Sequence, residues 1–124
     1  VNYTAIEPTR VLDTRNGTGL TGTFKTGVAR TLQVAGVSNV PATAVAIAGN
    51  VTVTQASAAG YLAVRPTPQN APSTSSLNFP LHDDRANSVT GTGLATDGTL
   101  AITFVSESAG AQTHVILDIT GYFS

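Results

Sequence analysis

Cysteine, methionine and tryptophan are all absent from the 124 residues. Without thiols there can be no disulfide frame, no thiolate zinc site and no cysteine nucleophile, so packing alone has to hold the core. Charge is scarce too, at 10% of the chain. Six Lys and Arg against seven Asp and Glu leave no basic field to release counterions from a phosphate backbone, which speaks against nucleic acid as a partner. An anionic membrane surface is disfavoured for the same reason. The longest near-apolar stretch, Ala42 to Val53, is interrupted by Gly49, Asn50 and Thr52 and is too short to cross a bilayer. The usual fillers of solvated helix faces are reduced to Lys25, Glu7 and Glu107. No stretch carries a sustained period near 3.6, and Pro41, Pro66, Pro68, Pro72 and Pro80 break up the middle of the chain, so very low helix content is expected.

The chain instead carries 20 Thr, 17 Ala and 12 Gly, with 41% hydrophobic residues, a composition suited to a pleated sheet and opposed to disorder. Its length is that of one domain able to bury roughly two-thirds of its unfolded surface. Short alternating runs recur between Gly, Pro and Asn clusters, the pattern of an all-β sandwich or barrel. The clearest run sets Val45, Ile47, Gly49, Val51 and Val53 against Ala44, Ala46, Ala48, Asn50, Thr52 and Thr54. It predicts one long strand with a bulge or close backbone approach at Gly49. Further strands are expected over 10–14, 28–34, 61–65, 75–79, 86–90, 99–105 and 112–119. Asp97-Gly98 reads as a hairpin turn and Ser108 to Gly110 as a second. Ala86 to Tyr122 is therefore expected to form an antiparallel meander, with Leu100, Ile102 and Phe104 facing Val115, Leu117 and Ile119. Pro66 to Thr74 reads as a surface loop.

Several segments together resemble a known module: Arg10-Val11-Leu12-Asp13-Thr14-Arg15, Asn50-Val51-Thr52-Val53-Thr54, Gly60-Tyr61-Leu62-Ala63-Val64-Arg65-Pro66, Ser76-Leu77-Asn78-Phe79, Ala86-Asn87-Ser88-Val89, and the ending from Thr113 to Phe123. The resemblance, which runs the length of the chain, is to an accessory module of secreted and surface proteins of actinobacteria and Chloroflexi, found in tandem or beside catalytic domains. It implies a non-catalytic role and carries over no binding residues. A chain that begins at Val1 rather than Met fits a mature or excised module. An oxidation-proof, charge-poor surface rich in Thr, Ser and Gly favours an extracellular setting.

Charged residues on a mostly apolar sheet have to be paired. Arg10, Asp13, Arg15 and Asp118 are accordingly expected to form an ion-pair and hydrogen-bond network that pins the first strand to the last. Strict alternation places Val11, Asp13 and Arg15 on one side of their strand and Arg10, Leu12 and Thr14 on the other. The competing reading makes Asp13 and Asn16 oxygen ligands for Ca²⁺ in a loop wrapped by Gly17 to Gly19, but the spacing is not that of an EF-hand, so Ca²⁺ is not favoured and no cofactor is expected. Gly17-Thr18-Gly19-Leu20-Thr21-Gly22 formally matches a dinucleotide-binding fingerprint. The required βαβ context is missing, which leaves a loop. His82-Asp83-Asp84 is the densest polar cluster and reads more simply as a solvated turn than as a metal or general-base site. No G-x-S-x-G elbow is present, and the few carboxylates do not suggest glycoside hydrolysis. The glycosylation-type triplets at Asn16 and Asn50 are read as coincidental. Sugar platforms usually need an exposed aromatic, and only Tyr3, Tyr61 and Tyr122 are available beside four Phe, with Tyr61 and Tyr122 read as packed corners.

The expectation is thus a single antiparallel β-sandwich over 1–124, jelly-roll-like, of eight or nine strands with neighbouring termini. An up-and-down barrel is the alternative. Its expected role is a non-catalytic extracellular module for surface attachment that binds glycan or another cell-envelope component. Asp13, Arg15, His82, Asp83 and Asp84 are the candidate ligand-binding residues. The alternative is a self-associating subunit or repeat of a fibre, sheath or stalk.

Overall fold

The computed structural model describes residues 1–81 and 84–124. Nine strands and no helix occur among them: β1 (Tyr3–Asp13), β2 (Phe24–Lys25), β3 (Arg30–Gln33), β4 (Ala46–Thr54), β5 (Gly60–Arg65), β6 (Leu77–Phe79), β7 (Arg85–Gly93), β8 (Thr99–Val105) and β9 (Gln112–Phe123). They form two antiparallel sheets. One runs β1-β9-β4-β7, with β2 also paired to β9; the other runs β3-β8-β5-β6. Neither closes into a barrel, so the up-and-down alternative is excluded.

Alternation decides which side of each strand enters the core. Leu100, Ile102 and Phe104 of β8 and Val115, Leu117 and Ile119 of β9 are fully buried in one cluster with Leu12, Ile47, Val51 and Leu62. Each such side chain contributes about 1.5–3 kcal/mol on leaving water, which is how a chain without cross-links holds together. Phe79 and Phe104 stack within this cluster at 5.8 Å between centroids.

The expected meander of the C-terminal third is corrected. Strand β7 pairs with β4, β8 with β3 and β5, and β9 with β1, β2 and β4. The apolar faces of β8 and β9 share the core as members of different sheets, not as neighbours in one. The Asp97-Gly98 turn does form, with Gly98 at φ 82 and its amide donating to the Ala95 carbonyl at 2.8 Å. It carries the chain from one sheet to the other instead of closing a hairpin. The strand expected over 28–34 is confined to Arg30–Gln33, β9 runs on to Phe123, and β2 had no counterpart in the sequence reading.

Register irregularities shape the five-stranded sheet, one of them between Ala5 and Thr9 of β1. The register of β4 slips at Gly49 against both β9 and β7, and a Cβ on Gly49 would lie 2.0 Å from the Asp118 carbonyl oxygen. Of the two alternatives expected there, the close backbone approach is present, while the extra residues that shift the register lie in the partner strands: Ala48 and Gly49 are consecutive, but their partners in β9 are Gly121 and Ile119. In β1 the register slips between Arg10 and Leu12, since Arg10 pairs with Asp118 and Leu12 with Leu117. On the other sheet, the loop after β5 lies against the outer side. Buried Thr103 donates to the Gln69 carbonyl at 2.8 Å, and Asn70 accepts from the Ala29 amide at 2.9 Å.

Candidate functional site

The extra residue in β1 is what assembles the charged cluster. With strict alternation Arg10 and Asp13 would face opposite ways; the slip before Leu12 returns them to one side. The Asp13 carboxylate, 1% exposed, accepts from Arg15 Nε and Nη2 at 2.9 Å each and from the Arg15 amide at 3.1 Å. Arg10 Nη1 approaches its Oδ2 at 3.4 Å. Arg10 then reaches its cross-strand partner Asp118 through Nε at 2.8 Å and Nη2 at 3.2 Å, so β1 is tied to β9 through side chains as well as backbone. The Arg15 hydrogen bonds, helped by its amide and by both guanidinium charges, hold the Asp13 carboxyl down to about 2 against the opposing effect of burial. The same pairs raise the pKa values of Arg10 and Arg15, in each case chiefly through the carboxylate hydrogen bond.

The sequence-derived candidates are thus distributed unequally. Asp13 is buried and its oxygens are engaged. Arg15 is partly exposed, and Asp84 is exposed, with Oδ1 accepting from the Gln55 amide at 3.3 Å and its charge felt by Arg15. His82 and Asp83 lie outside the described residues. Asn16 turns its side-chain oxygen inward on its own loop, accepting from the Thr18 amide at 3.1 Å and hydroxyl at 2.8 Å. His114, the second histidine, is paired through Nδ1 with the Thr14 hydroxyl at 2.8 Å. Among the described residues no group of three or more His, Cys, Asp or Glu is placed to hold a metal ion.

A second location lies outside the candidate residues that sequence patterning marks. The outer face of the five-stranded sheet carries a depression of about 410 Å³ that crosses four strands. Its floor is made of the small residues Ala48 and Gly49 of β4. One wall is aromatic, formed by Tyr3 of β1 and Phe123 of β9, whose rings meet at 5.1 Å and a 55° tilt. Polar side chains complete it: Asn50, Ser88, Thr90 and Thr120. Tyr3 is 51% exposed, whereas Tyr61 is engaged through its hydroxyl with the Pro72 carbonyl at 2.8 Å and Tyr122 packs on the core.

Register explains why these residues converge. Asn50 is the direct cross-strand partner of both Asp118 and Ser88, and Asp118 of Arg10, so a polar row crosses β1, β9, β4 and β7. One step along the sheet the row turns small and aromatic. Gly121 leaves room for Tyr3, since a Cβ there would lie 2.2 Å from the Tyr3 hydroxyl oxygen and 2.4 Å from ring carbons. The only sequence signal for the site was the small and polar face of the 44–54 run; the aromatic wall comes from the two ends of the chain.

Comparison with protein-family models, with curated proteins and with solved structures finds no match to this chain.

Proposed function

We propose that the chain is a non-catalytic extracellular module that attaches its parent protein to a surface by binding glycan or another cell-envelope component through the outer face of the five-stranded sheet. The observation that carries this reading is the groove beside Tyr3: a polar depression with a half-exposed aromatic wall, the combination that fixes a hydroxyl-rich ligand by hydrogen bonds and by contact with a ring face. The strand orders β1-β9-β4-β7 and β3-β8-β5-β6, with the chain passing repeatedly between sheets, support the finer description of a jelly-roll-like sandwich. The secreted setting rests on composition and on the resemblance of the chain to accessory modules of actinobacterial and Chloroflexi surface proteins.

The described lining of the groove consists of hydroxyls, a carboxamide, small residues and two aromatic rings, a set that suits binding. Calcium is not part of this reading, since an ion at Asp13 and Asn16 would have to displace guanidinium groups already bonded to Asp13. The test is co-sedimentation with insoluble cell-wall and polysaccharide preparations. The native chain should sediment with at least one of them and Tyr3→Ala should stay in solution; equal recovery of the two proteins would refute the reading.

A second reading, a self-associating subunit or repeat of a fibre, sheath or stalk, is favoured by β7. It is a nine-residue edge strand, largely exposed, without the Pro8 and Glu7 that interrupt the other long edge at β1. Such an edge is a template for pairing with another chain. Light scattering across a concentration series separates the two: a constant monomer supports attachment by ligand, and growth with concentration supports assembly.

A further inference from the structure

The geometry of the groove points to its ligand class: we infer that it takes a neutral, linear oligosaccharide of about three pyranose units, seated on Tyr3 at one end and on Ser88 and Thr90 at the other. This inference rests on the glycan-binding reading and narrows it.

Three observations carry it. First, among the described residues none that lines the groove bears a carboxylate, ammonium or guanidinium. The charges nearest in register, Arg10 and Asp118, are bonded to each other at 2.8 Å. An anionic polymer such as a uronate or phosphate chain would be desolvated against hydroxyls and a carboxamide with no counter-charge, which is unfavourable. A neutral sugar gives up only hydroxyl hydration, and Asn50, Ser88, Thr90 and Thr120 can replace it.

Second, the groove runs across the strands. From β1 to β7 there are three inter-strand spacings of about 4.8 Å, about 14 Å in all, which accommodates about three pyranose rings end to end. A longer chain would pass beyond the edge strand and gain few contacts.

Third, the aromatic wall is preset. Gly121 provides the space the Tyr3 ring occupies, and Phe123 lies against that ring, so Tyr3 keeps its orientation without a ligand while remaining half exposed. A platform fixed in advance loses little freedom on binding. Tyr3 is thereby a ligand-contacting residue and Gly121 a positioning residue.

The experiment uses the native chain on an array of neutral hexose and N-acetylhexosamine oligosaccharides of one to six units, printed beside uronate-containing and phosphorylated counterparts, followed by calorimetric titration of the best binder at each length. Affinity should rise to about three units and then stay within about threefold, with the charged counterparts at least tenfold weaker. Tyr3→Ala should lose at least tenfold in affinity. Tyr3→Phe should stay within about threefold, and Gly121→Ala should follow Tyr3→Ala. Preference for charged oligosaccharides or a steady gain to six units overturns this inference while leaving glycan binding standing, whereas indifference to Tyr3→Ala overturns binding through this face and this inference with it. No binding to any arrayed carbohydrate overturns the glycan reading and this inference with it.

Discussion

Tyr3 lies over Gly121 of the adjoining strand so closely that a methyl group on the glycine would come within 2.2 Å of the phenol oxygen. The first and last strands are therefore coupled through an aromatic ring at one end of their pairing and through Arg10 and Asp118 further along. The contact has a signature in a double-mutant cycle. Gly121→Ala in the native chain should lower stability by about 1–2 kcal/mol through overpacking. With Tyr3→Ala already present, the same change should be neutral or stabilising by about 0.5 kcal/mol, because Ala is the better residue once the clash is gone. Denaturant unfolding of the four proteins gives the result directly.

Asp13 should dominate the response to acid. Its carboxyl is depressed from 3.8 to about 2 in the folded chain, first by the Arg15 hydrogen bonds. The stability it supplies is fully present above 3.8 and is lost as pH falls from there through about 2. Thermal unfolding between pH 5 and pH 2 should therefore show a steeper loss for the native chain than for Asp13→Asn, the two curves converging at the acid end.

Removing either carboxylate of the network should have unequal effects. Asp13 is 1% exposed and bonded to both arginines, so Asp13→Ala should cost about 2–3 kcal/mol. Asp118 is 28% exposed and its partner Arg10 47%, which admits solvent screening. Asp118→Asn should then cost only about 1 kcal/mol or less. Chemical denaturation of the two variants at neutral pH checks the order, and a larger loss for Asp118→Asn would show that the wrong carboxylate has been placed at the centre.

Gly49→Ala should be among the most damaging single-methyl changes. The added Cβ would meet backbone, the Asp118 carbonyl oxygen at 2.0 Å, and backbone cannot rotate away as a side chain can. A loss of about 3 kcal/mol or more is expected, measured by equilibrium unfolding.

What could be read from the sequence was local. The 99–105 run alternates cleanly and becomes β8 within those bounds, and a glycine in an otherwise β-branched face marks the close backbone approach at Gly49. Pairing between strands was not local and was misread at Asp97-Gly98, because the positive φ that closes a hairpin equally serves a turn between sheets. The slip between Arg10 and Leu12 left no mark in composition, so alternation separated Arg10 from Asp13 although they touch. The groove was hidden for a similar reason: Tyr3, Asn50, Ser88 and Thr120 are ordinary polar positions far apart in the chain, and only the order β1-β9-β4-β7 sets them side by side. Polar density peaks in the segment around Asp84, whereas the groove is lined by small, uncharged polar and aromatic residues.

Ligand binding on the outer face of the five-stranded sheet, as proposed, has a direct spectroscopic signature. Backbone amide shifts followed by NMR during titration with a cell-wall oligosaccharide digest test it most directly. Saturable shifts should centre on Tyr3, Asn50, Ser88, Thr90 and Thr120, with the covered face of the other sheet, at Thr103 and Gln69, unmoved. Shifts centred elsewhere, or none at saturating digest, would contradict binding on this face.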